Sequence, residues 1–122
     1  MAEYQALIVE DDAALGSIFA EVFDSCGLQT TVVKDGRLAL TWLEDAVPDL
    51  ILLDLHLPHI SGLEILDNIR ANSRLKTAVV AVVTADAMRS REASKKADLV
   101  LTKPVSLNQL LQLAEWFNEG RD

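Results

Sequence analysis

The sequence predicts an α/β domain in which a parallel sheet is covered by helices on both faces. Short, unbroken apolar runs alternate along the chain with segments whose apolar residues recur every three or four positions. Unbroken runs favour strands buried on both faces, and the regular alternation favours right-handed strand–helix–strand crossovers. The chain has 122 residues, half of them apolar, which is enough for one domain with a hydrophobic core and excludes global disorder.

Five apolar runs are predicted strands. Four of them are strongly apolar, and the remaining one is weaker but rich in β-branched residues, which favour strands. In chain order the five runs are 6–9, 30–33, 50–53, 78–83 and 99–101.

The helices that follow the strands are predicted from apolar stripes and from capping residues. The stripe of the first helix stops before Gly27, a residue type that commonly ends helices, and Asp35 opens the second. Ser61 and Ser106 are each followed by Glu or Gln three residues later, which is the spacing of a capping box. Segment 88–96 has no good apolar stripe and predicts a short or frayed helix.

Charge and composition exclude several classes of protein. The net charge of −8 disfavours general nucleic-acid binding, and no apolar run approaches the roughly 18 residues that a membrane span needs. No signal peptide is visible, and the single cysteine, Cys26, is expected in the core of a cytoplasmic protein. The charge is uneven, because residues 1–61 hold eleven acids and two bases, whereas 70–103 hold eight bases and three acids.

Polar side chains follow the predicted strands at one end. Glu10 and Asp11 follow the first strand, Asp54 the third, Thr84 the fourth and Lys103 the fifth. Because ligands of such sheets bind at the carboxyl ends of the strands, we expect these groups to converge there. Neighbouring carboxylates repel unless a cation neutralises them, and Mg²⁺ accepts carboxylate and phosphate oxygens. The pattern therefore predicts a magnesium site that presents a phosphoryl group to a carboxylate.

Motifs in segments 8–12, 48–58, 61–64, 82–85 and 101–104 occur in an order that resembles the receiver domain of two-component response regulators, the CheY-like family. The resemblance covers nearly the whole chain. It implies a doubly wound (βα)5 flavodoxin-like fold with strand order 2-1-3-4-5. It also implies one receiver domain over 1–122, with a core of about 5–118 and no output domain.

The resemblance implies a role for each residue at the strand ends. Asp54 matches the phosphoacceptor, and Thr84 and Lys103 match the residues that bind the phosphoryl oxygens. The Lys103–Pro104 bond is expected to be cis. The implied Mg²⁺ ligands are two carboxylates, a third acting mostly through water, and one main-chain carbonyl: Asp11, Asp54, Glu10 and the carbonyl of His56.

The implied function is a signalling switch. A sensor histidine kinase or a histidine phosphotransfer protein supplies the phosphoryl group, and a downstream protein or a phosphorylation-dependent homodimer reads the result. Such a protein catalyses only its own phosphorylation and dephosphorylation. His56 and Asp86 match positions that tune the lifetime of the phosphate, and we expect them to interact above it.

The chain departs from the family pattern in one region. Val100 stands where an aromatic residue is usual, 96–98 reads Lys-Ala-Asp instead of Gly-Ala-Asp, and the fourth helix is about one turn short. These departures put the usual aromatic switch in doubt, but not phosphorylation. Four bases in this region are either a solvated helix face or an output surface for an acidic partner: Arg89, Arg91, Lys95 and Lys96.

Other interpretations of the same residues remain open. Glu10 and Asp11 can serve as caps of the first helix, a role for which Asp12 is the stronger candidate. His56 and His59 make a poor zinc site without further ligands.

Other functions are also open. A haloacid-dehalogenase-type phosphatase needs an Asp at position 56, which is His here, and the acids that follow the first strand would repel the phosphate of a flavin. A receiver excised from a larger regulator or hybrid kinase, or a degenerate receiver that works without phosphate, are the closer alternatives.

Overall fold

The computed structural model describes residues 3–121, in which five strands alternate with five helices. The strands are β1 (Gln5–Val9), β2 (Gln29–Val33), β3 (Leu50–Asp54), β4 (Val79–Thr84) and β5 (Leu99–Thr102). The helices are α1 (Ala13–Ser25), α2 (Gly36–Asp45), α3 (Gly62–Ala71), α4 (Ala87–Ser94) and α5 (Leu107–Glu119), with a 3₁₀ turn at Ser73–Leu75. None of the helices within 3–121 is long and apolar enough to cross a membrane.

The five strands form one parallel sheet in the order β2-β1-β3-β4-β5. The predicted doubly wound topology is therefore confirmed. β1 and β3 are neighbours in the centre, and β2 and β5 form the two edges. The strand order reverses between β1 and β3, which is where such folds open a crevice for ligands.

Two apolar clusters, one on each face, hold the helices against the sheet. Helices α1 and α5 cover one face through Phe19, Phe23 and Phe117, and α2, α3 and α4 cover the other. All five residues of β3 are buried, which explains its unbroken apolar run. Cys26 is only partly buried, at the border of the α1–α5 cluster.

The helix boundaries follow from side-chain caps. The predicted capping box is complete at Ser106 and Gln109, where each side chain accepts from the other residue's backbone N–H. At Ser61 the structure corrects the prediction: Ser61 accepts from Glu64 N, but within the described part of the chain the exposed Glu64 carboxylate accepts no hydrogen bond from Ser61 N. Gly27 follows α1 with a φ of +88°, a conformation that glycine adopts without strain.

Close packing at Gly62 fixes the loop between β3 and α3. A Cβ at this position would lie 2.4 Å from Leu55 Cα, so only glycine allows the start of α3 to approach the end of β3 this closely. Gly62 N also donates to the Leu55 carbonyl over 3.1 Å. This contact holds the loop that carries His56 against the end of β3.

Helix α4 is short, as predicted, and buries only Ala93. Charged contacts join the turn that follows it to α3. The Arg70 guanidinium donates to Lys96 O (2.7 Å), Ala78 O (3.1 Å) and Asp98 Oδ2 (2.8 Å). Asp98 Oδ2 also accepts from Val80 N, and Lys96 Nζ lies 2.6 Å from Asp67 Oδ1. We call Arg70, Asp98, Lys96 and Asp67 the Arg70 cluster.

Candidate functional site at the carboxyl ends of the strands

The structure brings the predicted site residues together at one end of the sheet. Glu10 directly follows β1, Asp54 ends β3, Thr84 ends β4, and Lys103 directly follows β5. The chain returns to this end four times because every crossover is parallel. We call Glu10, Asp11, Asp54 and Lys103 the rim cluster.

Asp54 is the centre of the rim cluster. It is 2% exposed, and its two carboxylate oxygens have different partners. Oδ2 accepts from Lys103 Nζ over 3.0 Å, and Oδ1 accepts from His56 N over 2.9 Å. A buried carboxylate is costly unless it is paired and hydrogen-bonded. Both contacts therefore hold Asp54 in one orientation.

Glu10 is as deeply buried as Asp54 but is less well satisfied. Its Oε2 accepts from Asp12 N over 3.1 Å, whereas its Oε1 has no hydrogen-bond partner among residues 3–121. The nearest cation, Lys103 Nζ, lies 3.7 Å from Oε1. Burial raises the pKa of Glu10 to about 7, and the neighbouring Asp54 carboxylate adds to the shift against the lowering effect of the Asp12 N–H. The site has more negative charge than its one lysine balances.

Lys103 is held in place by its main chain as well as by its ammonium group. Lys103 N donates to Thr84 O over 3.0 Å, which links the segment after β5 to the end of β4. Burial lowers the pKa of Lys103, but the hydrogen bond to Asp54 and the charges of Asp54 and Glu10 raise it above its ordinary value. The ammonium group therefore stays charged. The Lys103–Pro104 bond is cis, as expected.

Thr84 is buried, and its hydroxyl donates no hydrogen bond to any of residues 3–121. Its Oγ1 accepts from Asp86 N over 3.0 Å, so the hydroxyl hydrogen remains available for another acceptor. The Asp86 side chain caps α4, where its Oδ1 accepts from Met88 N and Arg89 N. No hydrogen bond between His56 and Asp86 is present within 3–121, and both residues are exposed.

The three acids fit a divalent cation. Carboxylate oxygens of Glu10, Asp11 and Asp54 lie within 4.8 Å of one another, and Asp11 is the exposed member. Hard cations such as Mg²⁺ prefer oxygen ligands and keep several waters, which an exposed acid at the edge of the site allows. A cation here would give Glu10 Oε1 a partner and would offset the excess negative charge of the three acids.

Most of the predicted basic surface on and after α4 is internally paired. Arg89 lies 3.8 Å from Asp86, Lys95 3.4 Å from Glu92, and Lys96 2.6 Å from Asp67. The sequence could not show Asp67 as the partner of Lys96, because Asp67 lies on α3. Nor did it indicate that Asp98, noted only as part of a motif, binds Arg70.

Comparison with known proteins agrees with this geometry. The family model for the response regulator receiver domain matches residues 6–115, which is most of the chain. The chain belongs to this family. The polar-differentiation response regulator DivK of Brucella anthropi is 30% identical over 109 residues, which cover 87% of this chain and 89% of DivK.

Solved receiver structures superpose closely on this fold. A CheY-like receiver domain from Methylobacillus flagellatus has a TM-score of 0.85 and 31% identity, covering 95% of this chain and 99% of its own. The receiver domain of sensor histidine kinase PA1611 from Pseudomonas aeruginosa has a TM-score of 0.83 and 27% identity, covering 96% and 99%. That protein has a magnesium ion coordinated in its active-site cleft. The predicted CheY-like receiver family is therefore confirmed.

Proposed function

We propose that this receiver domain accepts a phosphoryl group on Asp54 and signals while it carries that group. The observation that supports this most directly is the buried Asp54 carboxylate, held between Lys103 Nζ and His56 N beside two further acids. A structural ion pair would not need three acids and one lysine. A site that receives a cation and the three oxygens of a phosphoryl group does.

The proposed chemistry is nucleophilic attack by a carboxylate. An Asp54 oxygen forms a bond to phosphorus while the P–N bond of a phosphohistidine breaks, and the departing imidazole nitrogen keeps the electron pair and takes up a proton. Water later attacks the phosphorus of the acyl phosphate, which releases phosphate and restores the carboxylate. The chain acts only on itself in both steps.

The residues around Asp54 orient and neutralise the incoming group. Lys103 Nζ, already at Asp54 Oδ2, binds a phosphoryl oxygen, and the free Thr84 hydroxyl hydrogen is donated to another. Asp11, Asp54 and the His56 main-chain carbonyl are the proposed direct Mg²⁺ ligands, with Glu10 acting mostly through water. When bound, Mg²⁺ supplies positive charge that offsets the carboxylates and the phosphoryl oxygens. Positioning and charge neutralisation thus supply most of the catalysis.

Partners and location follow from this proposal. A sensor histidine kinase or a histidine phosphotransfer protein in the cytoplasm donates the phosphoryl group, and a downstream protein or a second copy of the chain recognises the phosphorylated form. The paired charges around α4 favour a solvated helix face over an output surface for an acidic partner. The same site also serves a receiver within a larger regulator or hybrid kinase.

A degenerate receiver that works without phosphate is the second candidate, and a mass measurement separates the two. We expect incubation with Mg²⁺ and acetyl phosphate to add the mass of one phosphoryl group, and chelation of Mg²⁺ to prevent the addition. Asp54→Asn should abolish the adduct, whereas the exposed neighbour variant Asp12→Asn should retain it. An adduct that persists in Asp54→Asn, or no adduct in the wild type with acetyl phosphate or a phosphorylated phosphotransfer protein, would overturn the proposal.

The lifetime of the adduct is a further part of this proposal. His56 and Asp86 lie at the ends of β3 and β4, on loops that follow Asp54 and Thr84. We expect His56→Ala and Asp86→Ala to change the dephosphorylation rate, measured as loss of the phosphoryl mass with time. Rates equal to that of the wild type in both variants would refute the role of these side chains.

A further inference from the structure

An apolar groove opens along the free edge of the sheet, beside the carboxyl end of β2. It has a volume of about 440 Å³ and lies between the edge strand β2 and helix α2. Leu38 is 52% exposed, and Val33 and Trp42 are partly buried beside it. Large apolar side chains grouped in this way on a surface indicate a contact site.

Strand β2 presents unused backbone groups beside this groove. Gln29 N donates to Tyr4 O and Val33 O accepts from Glu10 N, so the odd-numbered residues of β2 face β1. The backbone N–H and C=O of Thr30 and Val32 therefore point to the free edge. Strands at sheet edges are commonly protected by charge or proline, and Gln29–Val33 contains neither.

Two cations lie at or next to the groove residues in the sequence. Lys34 lines the groove and Arg37 precedes Leu38 on α2; they are the only bases in the first 61 residues. Neither has a carboxylate within 4.0 Å in the part of the chain that the structure describes, in contrast to the paired bases around α4. Asp35, which lies between them, accepts from Leu38 N as the cap of α2.

We propose that this groove binds an extended segment of a partner protein that contains both apolar and acidic residues. The segment adds a strand to the free edge of β2 through Thr30 and Val32, which is a known mode of peptide recognition. Its apolar side chains pack on Leu38 and Trp42, and its acids meet Lys34 and Arg37. Symmetric pairing of two copies is disfavoured, because it would bring these cations close to their counterparts.

Selection of peptides tests this proposal without a known partner. We expect random peptides displayed on phage and selected on the full chain to converge on sequences that combine apolar and acidic residues. The selected peptides should protect the amides of Thr30 and Val32 from hydrogen exchange. Added salt should weaken the binding of the peptides, because it screens the attraction between their acids and the cations. Failure to enrich such peptides, enrichment of peptides that bind as helices, or dimerisation through β2 in place of peptide binding would overturn it.

Matched variants locate the binding site. Leu38→Glu changes an exposed residue in the first turn of α2, where an acid is compatible with the helix, and should weaken binding at least about tenfold. The double variant Lys34→Glu/Arg37→Glu should do the same, whereas Lys76→Glu/Arg91→Glu, with the same net charge, should bind like the wild type. Equal affinity for the two double variants would contradict the charge argument.

Two further variants test whether the peptide binds by strand addition and whether binding depends on phosphorylation. Val32→Pro removes an edge N–H that the β1–β2 ladder does not use, so it should abolish peptide binding while the domain stays folded. Unchanged peptide binding by folded Val32→Pro would exclude strand addition. Asp54→Asn should bind the peptides normally, because this groove does not depend on the proposed phosphorylation.

Discussion

Two clusters of charged side chains in this molecule differ in how many of their charged groups have hydrogen-bond or ion-pair partners. In the Arg70 cluster, Arg70 and Lys96 each reach an acid, and Asp98 Oδ2 accepts two hydrogen bonds. In the rim cluster, one lysine serves two buried acids, and Glu10 Oε1 has no hydrogen-bond partner within 3–121. Buried polar groups are normally satisfied, so an exception calls for an explanation. The complete cluster stabilises the fold, and the incomplete one is suited to binding a ligand.

The largest effect on stability is expected from breaking the complete cluster. Arg70→Ala removes three hydrogen bonds that join α3 to the residue before β4 and to the turn before β5. We expect a loss of about 2–3 kcal/mol in the free energy of unfolding, since hydrogen bonds to charged groups contribute roughly 1.5–3 kcal/mol and these three are not additive. Urea unfolding measures it, with the exposed Arg91→Ala as a control near zero. A loss no greater than in the control would show that the cluster is not structural.

The incomplete cluster should make stability depend on pH in the absence of divalent cations. Folded Glu10 keeps its proton up to about pH 7, because its pKa is raised from 4.5, whereas the unfolded chain releases the proton at lower pH. Stability should therefore fall as pH rises from about 5 to 7 and level off above 7. Lys103 does not cause this change. Its pKa is raised in the folded state, so the stability that its charge adds is constant at all pH values below 10.5.

Thermal unfolding across this pH range, with a chelator present, provides the measurement. Glu10→Gln removes the titrating group, so its profile should lack the decline seen in the wild type. A decline of equal size in the variant would assign the pH dependence to other groups.

The smallest effect is expected at the exposed edge of the Arg70 cluster. Lys96 Nζ and Asp67 form a short ion pair, but both side chains are at least half exposed. Exposed pairs contribute roughly 0–1 kcal/mol, so Lys96→Ala should change the free energy of unfolding by about 0.5 kcal/mol or less. Because the main-chain carbonyl of Lys96 still accepts from Arg70, a much larger loss would mean that the side chain does more than the structure indicates.

The sequence predicted the fold and the composition of the rim well, for a physical reason. Parallel strands joined by helices have their carboxyl ends at one edge of the sheet, which is why Glu10, Asp54, Thr84 and Lys103 meet there. The caps at Asp12 and Ser106 are local and were equally readable.

What the sequence did not reveal depends on side-chain reach between distant elements. Arg70 and Asp98 are 28 positions apart, and nothing local to either one indicates the pair. Likewise, Lys96 and its partner Asp67 on α3 are 29 positions apart, and neither one indicates the other in the sequence. The half-formed box at Ser61 shows that motif spacing alone does not determine which way a side chain turns.

One pair of isosteric substitutions tests the central comparison most directly. At pH 8 without divalent cations, Glu10→Gln should raise the free energy of unfolding because it removes a buried, underpaired charge, whereas Asp98→Asn should lower it by about 1–2 kcal/mol. Mg²⁺ at ten times its dissociation constant for the wild type should stabilise the wild type by about 1.4 kcal/mol. The same Mg²⁺ concentration should stabilise Glu10→Gln by less. Destabilisation by both substitutions, together with no effect of Mg²⁺ on the wild type, would contradict the conclusion that the rim cluster is completed by a cation.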